Sequence, residues 1–499
     1  MTVNQDSLSA RDSRAGDLSG AGNMRSMAES NAIGNYGVLQ DQVTASRHFY
    51  NARVAMIGAG QLARMTHQAA VDLDIELLVL AASVNDSAVL GGAGYVLGVS
   101  GNLADLETIA SGADVVTFDH ELISPSNLVA MQELKYNLQP RPSALYLAQD
   151  KLEARRSLSA RGFPCPAFIP VGSTDEVVGF AEKYGWPVVL KARHGGYDGR
   201  GVRVVHSADE LNLAGIPEGI SQPADVDFSD RTKRYRESST DGKTNIHTES
   251  NADSHTEGHP DGYRYSHAEG HPDDYRDGDT KGYAGGDQAI YVNEPAYIVE
   301  EYIDISVELS IIVARSPSGE VAVYPPVQTT QSDGICRYLV MPAPLPERLS
   351  KQACELAKSI IVEIGATGIV AVEMFVTSGD QLLVNELALR PHNSGHATIE
   401  ASMTSQFHQH LRAILDWPLG STDMRVPAAA MVNLIGGDNC AGSLSAVRAA
   451  LAIPNINIHL YGKDLRPGRK LGHITATASS VEEALQSAFR AASCFGVAA

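Results

Sequence analysis

A long polar segment near the middle of the chain limits what the remainder can fold into. Residues 219–288 show almost no apolar periodicity and consist mainly of Asp, Gly, Ser, His and Arg, with residues 254–264 nearly repeated at 266–276. Two polar copies are too few to stack as a repeat protein. Because such a segment cannot bury enough apolar surface to offset the entropy lost on ordering, we predict a disordered insertion whose histidines are solvated rather than metal-bound.

Charge and composition exclude several classes of protein. The 499 residues include 59 Asp and Glu against 39 Lys and Arg, a net charge of −20. This leaves no basic excess to hold nucleic acid or an anionic membrane, and no apolar run reaches the roughly 18 residues of a spanning helix. Residues 1–48 lack the apolar stretch of a secretory signal, so we predict a disordered tail on a cytoplasmic protein. The five cysteines show no Cys-x-x-Cys spacing, and we expect reduced thiols.

The apolar runs on either side of the insertion predict three folded parts. A strand over Arg53–Ile57 runs into a glycine turn and a helix, and two further apolar runs fit buried parallel strands. We predict a small α/β domain over residues 49–148, a second domain over 149–420 that carries the insertion, and a C-terminal module over 421–499.

Two glycine motifs indicate where phosphate could bind. Gly58-x-Gly60-x-x-Ala63 has the shape of a dinucleotide fingerprint, but no acidic residue ends the next strand, so a helix N-terminus that holds some other phosphate is favoured over NAD. The second motif follows Lys191, which ends an apolar strand, and places four glycines and Arg200 within residues 195–201. Backbone N–H groups of such a loop can close around a polyphosphate; a plain hairpin turn is the alternative.

Glu373 and Glu386 interrupt two consecutive apolar strands. Carboxylates in a core-like sheet repel each other and lose solvation unless a cation lies between them. Oxygen ligands with few other groups are typical of Mg²⁺ that also contacts substrate phosphates. The alternative is that both acids lie on a solvent-facing side of the sheet.

Two further motifs are suited to anions. Residues 390–396 read Arg-Pro-His-Asn-Ser-Gly-His, a rigid polar loop that could hold a small anion. Residues 463–470 contain four Lys and Arg side chains; a solvated basic turn is the alternative there.

Taken in order, these motifs resemble the N5-carboxyaminoimidazole ribonucleotide synthase family of the ATP-grasp superfamily, over about residues 50–218 and 289–495. The resemblance implies a mixed α/β and α+β architecture: an ATP-grasp fold preceded by a Rossmann-like pre-ATP-grasp domain and followed by a small β-rich module. It also implies that ATP, with Mg²⁺, and bicarbonate convert aminoimidazole ribonucleotide to its N5-carboxy derivative in purine biosynthesis, and that the protein is a homodimer whose product passes to a separate mutase.

The resemblance further implies roles for particular residues of this chain. ATP would be bound by Lys151, Lys191, Gly196, Tyr197, Asp198, Gly199, Arg200, Gly201, Val202, Glu300, Glu301, Tyr302, Ile303, Glu308, Gln331, Asn385 and Glu386. Mg²⁺ would be held by Glu373 and Glu386, and bicarbonate by Arg390 and His392. The ribonucleotide would be bound by Gln61, Glu121, Tyr197, Arg200, Asn393, Ser394, Lys463 and Arg469. The catalytic residues would be Arg390, His392, Lys463 and Arg469.

Two alternatives remain open from the sequence. A formate-dependent glycinamide ribonucleotide transformylase would share the three-domain layout and an acyl-phosphate mechanism, although the Asn-Ser-Gly-His motif argues against it. A non-catalytic nucleotide-binding regulator is the second, although it need not keep both Glu373 and Glu386. One departure from the family concerns Gln331, which stands where some relatives have a histidine near ATP.

Overall fold

The computed structural model describes residues 52–195, 201–214, 295–332, 334–437 and 443–497. The predicted tail, the predicted insertion and residues 196–200 of the second glycine loop lie outside these ranges. Within them, no helix combines the length and the apolar composition needed to cross a membrane.

The first part of the chain is a parallel sheet with helices between its strands. Its strands, in the spatial order β3-β2-β1-β4, are β1 (Arg53–Ile57), β2 (Glu76–Ala81), β3 (Gly94–Leu97) and β4 (Val115–Phe118). Its helices are α1 (Gln61–Asp72), α2 (Ser87–Leu90), α3 (Leu103–Ala110), α4 (Pro125–Glu133) and α5 (Pro142–Gln149). Strand β1 is buried on both faces, because Val54 and Met56 pack into one apolar cluster while Ala55 and Ile57 pack into another. This alternation explains why the strand reads as one continuous apolar run.

A small antiparallel sheet follows, in the order β5-β8-β6-β7. It comprises β5 (Phe168–Val171), β6 (Val188–Ala192), β7 (Val202–Val205) and β8 (Tyr297–Glu301), with helices α6 (Lys151–Ala160), α7 (Thr174–Tyr184) and α8 (Ala208–Ala214). Strands β7 and β8 are separated by the predicted insertion in the sequence, yet both pair with β6.

The remaining strands form one nine-stranded antiparallel sheet, in the order β14-β13-β9-β11-β12-β15-β17-β16 with β10 beside β9. They are β9 (Ile305–Arg315), β10 (Val321–Val323), β11 (Val327–Ser332), β12 (Ile335–Met341), β13 (Gly368–Thr377), β14 (Leu382–Ala388), β15 (Ala428–Ile435), β16 (Ile456–Leu460) and β17 (Lys470–Ala478). Its helices are α9 (Glu347–Ile364), α10 (Thr398–Ala401), α11 (Gln406–Ile414), α12 (Leu444–Leu451) and α13 (Val481–Ser493). Because β12 pairs with β15, the sheet continues across the domain boundary predicted at 420/421.

His410 on α11 joins the parallel sheet to the large sheet. Its ring is fully buried, and the Ile369 backbone N–H donates to Nδ1 at 3.1 Å. Since a backbone amide can only donate, the ring proton lies on Nε2, which donates to Thr117 Oγ1 at 2.9 Å. Burial lowers the pKa of His410 to about 3, so the folded protein holds this ring neutral.

We expect His410→Gln to weaken the acid sensitivity of folding. Below about pH 6.5 the unfolded chain protonates His410 while the folded protein does not, so this ring makes stability fall as the pH drops from 6.5 towards 3. At pH 5.5 one such group accounts for about 1.4 kcal/mol. Urea unfolding measures the free energy of unfolding at pH 7.5 and 5.5. The difference between the two pH values should be smaller by that amount in His410→Gln than in the wild type. The variant is also about 1–3 kcal/mol less stable at pH 7.5.

The matched control is His408→Gln on the same helix, because the His408 side chain is 30% exposed and pairs with Asp72 at the surface. It should keep the wild-type difference between the two pH values. A His410→Gln protein that also kept that full difference would contradict the assignment.

Candidate functional site

An open cleft of about 1350 Å³ is lined by all three parts of the chain. The predicted site residues that line it are Gln61, Glu121, Lys151, Lys191, Val202, Glu300, Glu301, Tyr302, Ile303, Glu308, Gln331, Glu373, Asn385, Glu386, Arg390, His392, Asn393, Ser394, Lys463 and Arg469. Gly201 is described but is not among the lining residues. The predicted residues Gly196, Tyr197, Asp198, Gly199 and Arg200 lie outside the described residues.

A buried ion triad fixes Lys191 at one wall of this cleft. Glu300 on β8 accepts from Arg155 Nε at 2.6 Å through Oε1, and from Lys191 Nζ at 2.6 Å through Oε2. Burial alone would raise the pKa of Glu300, but the charges of Arg155 and Lys191 outweigh it and lower the pKa to about 2. The Glu300 carboxylate is only 2% exposed. It therefore positions Lys191, while its contact with ATP, which the resemblance implies, stays a prediction.

A second buried pair fixes the start of α6, where Lys151 lies. Asp150 is fully buried and caps this helix by accepting from the backbone N–H of Leu152 at 3.0 Å. Arg193, just beyond β6, donates through Nε to both Asp150 oxygens at 2.8 Å. Burial opposes the charged form, yet Arg193 and neighbouring donors hold the pKa of Asp150 below its usual value. Lys151 is thereby tied to the strand that leads into the second glycine loop.

Glu373 and Glu386 face each other across β13 and β14 as direct neighbours in the register. Burial, then the charges of Glu386 and Glu308, raise the pKa of Glu373 to about 7. Lys151 Nζ lies 3.2 Å from Glu386 Oε1, and His392 Nε2 lies 3.4 Å from Glu373 Oε1. A cation between the two carboxylates would relieve this repulsion, so the pair fits a metal ion.

A β-bulge brings Asn385 to the same side as Glu386. The register pairs Glu373 with Glu386 but Met374 with Val384, so Asn385 is an extra residue in β14. In a regular strand, neighbouring side chains would point to opposite faces. Here both line the cleft, and Asn385 Oδ1 accepts from Lys191 Nζ at 3.2 Å.

Across the described part of the chain, no group of three or more His, Cys, Asp and Glu side chains is arranged to hold a metal ion by itself. An ion between Glu373 and Glu386 would therefore take its remaining ligands from a bound substrate and water.

The loop at residues 390–396 is held from both sides. Arg390 Nε donates to Glu121 Oε2 of the first domain at 2.9 Å. Gln406 brackets the backbone of His392, accepting from its N–H at 2.9 Å and donating to its C=O at 2.8 Å. Burial, then the charges of Arg390 and Lys470, hold the pKa of His392 well below its usual value. The loop thus presents one fixed cation and one neutral imidazole to the cleft.

Two residues of this loop are engaged by the protein itself. The Asn393 side-chain amide exchanges two hydrogen bonds with that of Asn433, at 3.0 and 2.9 Å. Ser394 is 1% exposed, and its hydroxyl lies 2.7 Å from His392 Nδ1. Their side chains therefore shape the loop, while the direct substrate contact that the resemblance implies stays a prediction.

The basic turn near the C-terminus meets the first domain. Lys463 Nζ donates to Gln61 Oε1 at the start of α1, and Arg469 lines the same part of the cleft. The contact joins residues 402 positions apart in the sequence. Neither Gln61 nor Lys463 would reach this place without the packing of the C-terminal module against the first domain.

The first glycine motif binds no phosphate in the way predicted, because Asp119 occupies the N-terminus of α1. Its carboxylate accepts from the backbone N–H of Gly60 at 2.6 Å and of Ala63 at 2.9 Å. A Cβ atom at Gly60 would lie 2.5 Å from Asp119 Oδ2, which explains the glycine. The helix dipole that could hold an external anion is satisfied internally. Asp119 directly follows β4, which neighbours β1, so the strand order could have indicated it.

The sequence did not indicate several residues that position other side chains of the cleft. The side chains that fix the site without having been predicted are Asp119, Asp150, Arg155, Arg193, Gln406 and Asn433. Of these, only Arg155 could have been inferred from the sequence, because it lies four residues after Lys151 on the same helix face.

Three family models match successive parts of the chain. A ribonucleotide synthetase preATP-grasp domain matches residues 51–149, and an ATP-grasp domain matches residues 156–216 and 283–407. A phosphoribosylaminoimidazole carboxylase C-terminal domain matches residues 429–487.

Whole proteins are similar over most of their length. An N5-carboxyaminoimidazole ribonucleotide synthase of Mycobacterium bovis is 38% identical over 459 residues, 91% of this chain and 90% of the relative. One of Synechococcus elongatus is 34% identical over 87% of this chain and 92% of the relative. A crystal structure of the Aspergillus clavatus synthase in complex with ADP and 5-aminoimidazole ribonucleotide has a TM-score of 0.69 and 27% identity, over 89% of this chain and 99% of that one.

We expect Glu300→Gln to destabilise the protein strongly. The variant would leave Arg155 and Lys191 facing a neutral amide in a buried site, and removal of one member of a buried ion group costs about 3–5 kcal/mol. Urea unfolding at pH 7.5 measures the change.

The matched control is Glu301→Gln, on the same strand. Its side chain accepts from the Ala167 N–H at 2.7 Å, which an amide oxygen can still do, so we expect a loss below about 1 kcal/mol. Equal losses in the two variants would contradict the triad's role.

Proposed function

Because this chain belongs to the N5-carboxyaminoimidazole ribonucleotide synthase family of ATP-grasp carbon–nitrogen ligases, we propose that its cleft carboxylates 5-aminoimidazole ribonucleotide with bicarbonate and ATP in purine biosynthesis. The observation that carries the proposal is the convergence of three sites in one cleft. Lys151 and Lys191 lie near the opposed glutamates. The loop with Arg390 and His392 and the basic turn with Lys463 line the same cleft.

ATP would lie along the small antiparallel sheet. Lys151 and Lys191 approach Glu386 and Asn385, which places two cations where the phosphates must meet the glutamates. The adenine would lie against residues 301–303 at the end of β8. Glu308 supports a ribose contact, because its Oε2 is a buried atom without a hydrogen-bond partner among the described residues, and a ribose hydroxyl could donate to it. Gln331 hydrogen bonds to the same side chain.

Glu373 and Glu386 would hold Mg²⁺ together with the nucleotide phosphates. When bound, the ion neutralises charge on the phosphoryl group in transfer. The raised pKa of Glu373 supports this assignment, because burial and the neighbouring charges of Glu386 and Glu308 leave that carboxylate without enough compensation from the protein alone.

Arg390 and His392 would hold bicarbonate in line with the γ-phosphate. Transfer of the phosphoryl group to a bicarbonate oxygen releases ADP and gives carboxyphosphate, whose phosphate is a good leaving group. The exocyclic amine of the ribonucleotide then forms a bond to the carbon, either directly or after CO₂ is released, phosphate leaves and the amine loses a proton. Arg390 is fixed by Glu121, so the charge that faces the anion is in place before it binds.

The ribonucleotide phosphate would be bound by Lys463 and Arg469, with Gln61 and Glu121 completing the pocket from the first domain. The Aspergillus clavatus relative described with ADP and 5-aminoimidazole ribonucleotide supports a cleft that takes both molecules. From the family resemblance we also infer a homodimer and a separate mutase that consumes the product.

We expect the purified protein to release ADP only when 5-aminoimidazole ribonucleotide and bicarbonate are both present. A coupled ADP assay that omits each component in turn measures this. Turnover with glycinamide ribonucleotide and formate alone would favour the transformylase alternative, and nucleotide binding without turnover under any of these conditions would favour the regulator.

Glu386→Gln should abolish this turnover while leaving the protein folded, because it removes one of two carboxylates for the metal ion; a loss of at least about 100-fold is expected for a metal ligand. Circular dichroism checks the fold. Glu347→Gln is the control, since this side chain is 82% exposed on α9 and pairs with Lys351. Wild-type turnover in Glu386→Gln would remove the metal assignment.

A further inference from the structure

Ser310 is a polar residue at the centre of an apolar strand. It lies on β9 between Leu309 and Ile311, and all three are buried. Its direct neighbour across the sheet is Glu373. A buried hydroxyl without a hydrogen-bond partner costs free energy. Ser310 therefore requires a hydrogen-bond partner at its position in this strand.

The partner of Ser310 is the loop that carries His392. Ser310 Oγ lies 2.6 Å from Ser394 Oγ, which lies 2.7 Å from His392 Nδ1. The direction of these hydrogen bonds follows from one backbone amide, because the Ser394 N–H points to the same Nδ1 at 3.4 Å. An amide can only donate, so Nδ1 accepts. The Ser394 hydroxyl must then donate to Nδ1 and accept from the Ser310 hydroxyl.

The ring proton of neutral His392 therefore lies on Nε2. That atom is 3.4 Å from Glu373 Oε1. With the other tautomer, a nitrogen lone pair would face the carboxylate oxygen, and the two would repel. The chain of donors thus runs in one direction, from the sheet through the loop to a carboxylate of the cleft.

We propose that Ser310 is a positioning residue, which by donating to Ser394 keeps that hydroxyl directed at Nδ1 and so holds the His392 ring with its Nε2–H towards Glu373 and the small anion beside it. The inference deepens the proposed function and rests on it for the identity of that anion. The chain of hydrogen bonds itself is a property of the protein alone. Loss of the Ser310 hydroxyl would leave the Ser394 hydroxyl free to turn away from Nδ1, and Nδ1 would be left with the longer contact to the Ser394 N–H at 3.4 Å.

The test is ¹⁵N NMR of the imidazole nitrogens in full-length protein labelled at histidine, because a protonated and an unprotonated ring nitrogen give distinct signals. His392→Gln identifies the signals of this ring. The wild type should show the proton on Nε2. Ser310→Ala should keep the proton on Nε2 but shift the Nδ1 signal, because that nitrogen loses its shorter hydrogen bond. Its kcat should be about tenfold lower, the effect of one hydrogen bond, with the KM for ATP unchanged within about twofold.

The matched control is Ser316→Ala, just beyond the end of the same strand. Ser316 is also buried and hydrogen bonds to Ser318 Oγ at 2.8 Å. Ser316→Ala therefore removes an equivalent buried hydroxyl away from the cleft. Its His392 signals and kcat should match the wild type. Ser394→Ala removes the second hydroxyl of the same chain and should reproduce the shift of the Nδ1 signal if Ser310→Ala fails to fold.

A wild-type ring protonated on Nδ1 would overturn the inference, as would a Ser310→Ala spectrum and kcat equal to those of Ser316→Ala. Failure of the proposed function gives a different result: a wild type with the proton on Nε2 and a shifted Nδ1 signal in Ser310→Ala, but no turnover with 5-aminoimidazole ribonucleotide and bicarbonate.

Discussion

Two glutamates that face each other across neighbouring strands at the cleft are the constraint on which the rest of the site depends. Glu373 and Glu386 occupy neighbouring register positions, and burial and repulsion raise the pKa of Glu373 to about 7. Lys151 and the Nε2–H of His392 compensate part of that charge. A metal ion would compensate the rest, because it supplies positive charge between the two carboxylates, and substrate phosphates would complete its coordination.

The cations around this pair are themselves fixed by buried acids rather than left to move. Glu300 holds Lys191, Asp150 caps the helix that begins with Lys151, and Glu121 holds Arg390. Each acid has little or no exposure, so its interaction is weakly screened by solvent. Such a site stabilises the charge that develops in the transition state with groups that are already in position. This is the main contribution a protein can make to phosphoryl transfer.

Much of the fold could be predicted from the sequence, because apolar runs and glycine turns are local signals. The strand predicted over Arg53–Ile57 and the fold class are confirmed. The site residues that the sequence did not predict depend on how distant segments of the chain pack together. Arg155 and Glu300 are 145 residues apart, and Asn385 reaches the cleft only through a bulge. The phosphate site predicted at Gly60 was wrong for the same reason, since Asp119 arrives there from a neighbouring strand.

The central claim is that this cleft uses ATP to activate bicarbonate for capture by 5-aminoimidazole ribonucleotide. The most direct measurement supplies bicarbonate labelled with ¹⁸O and analyses the released phosphate by mass spectrometry during the first turnovers. Because the bicarbonate oxygen that receives the phosphoryl group leaves with it, the account predicts one ¹⁸O atom in each phosphate. Unlabelled phosphate formed together with the carboxylated ribonucleotide would contradict the account.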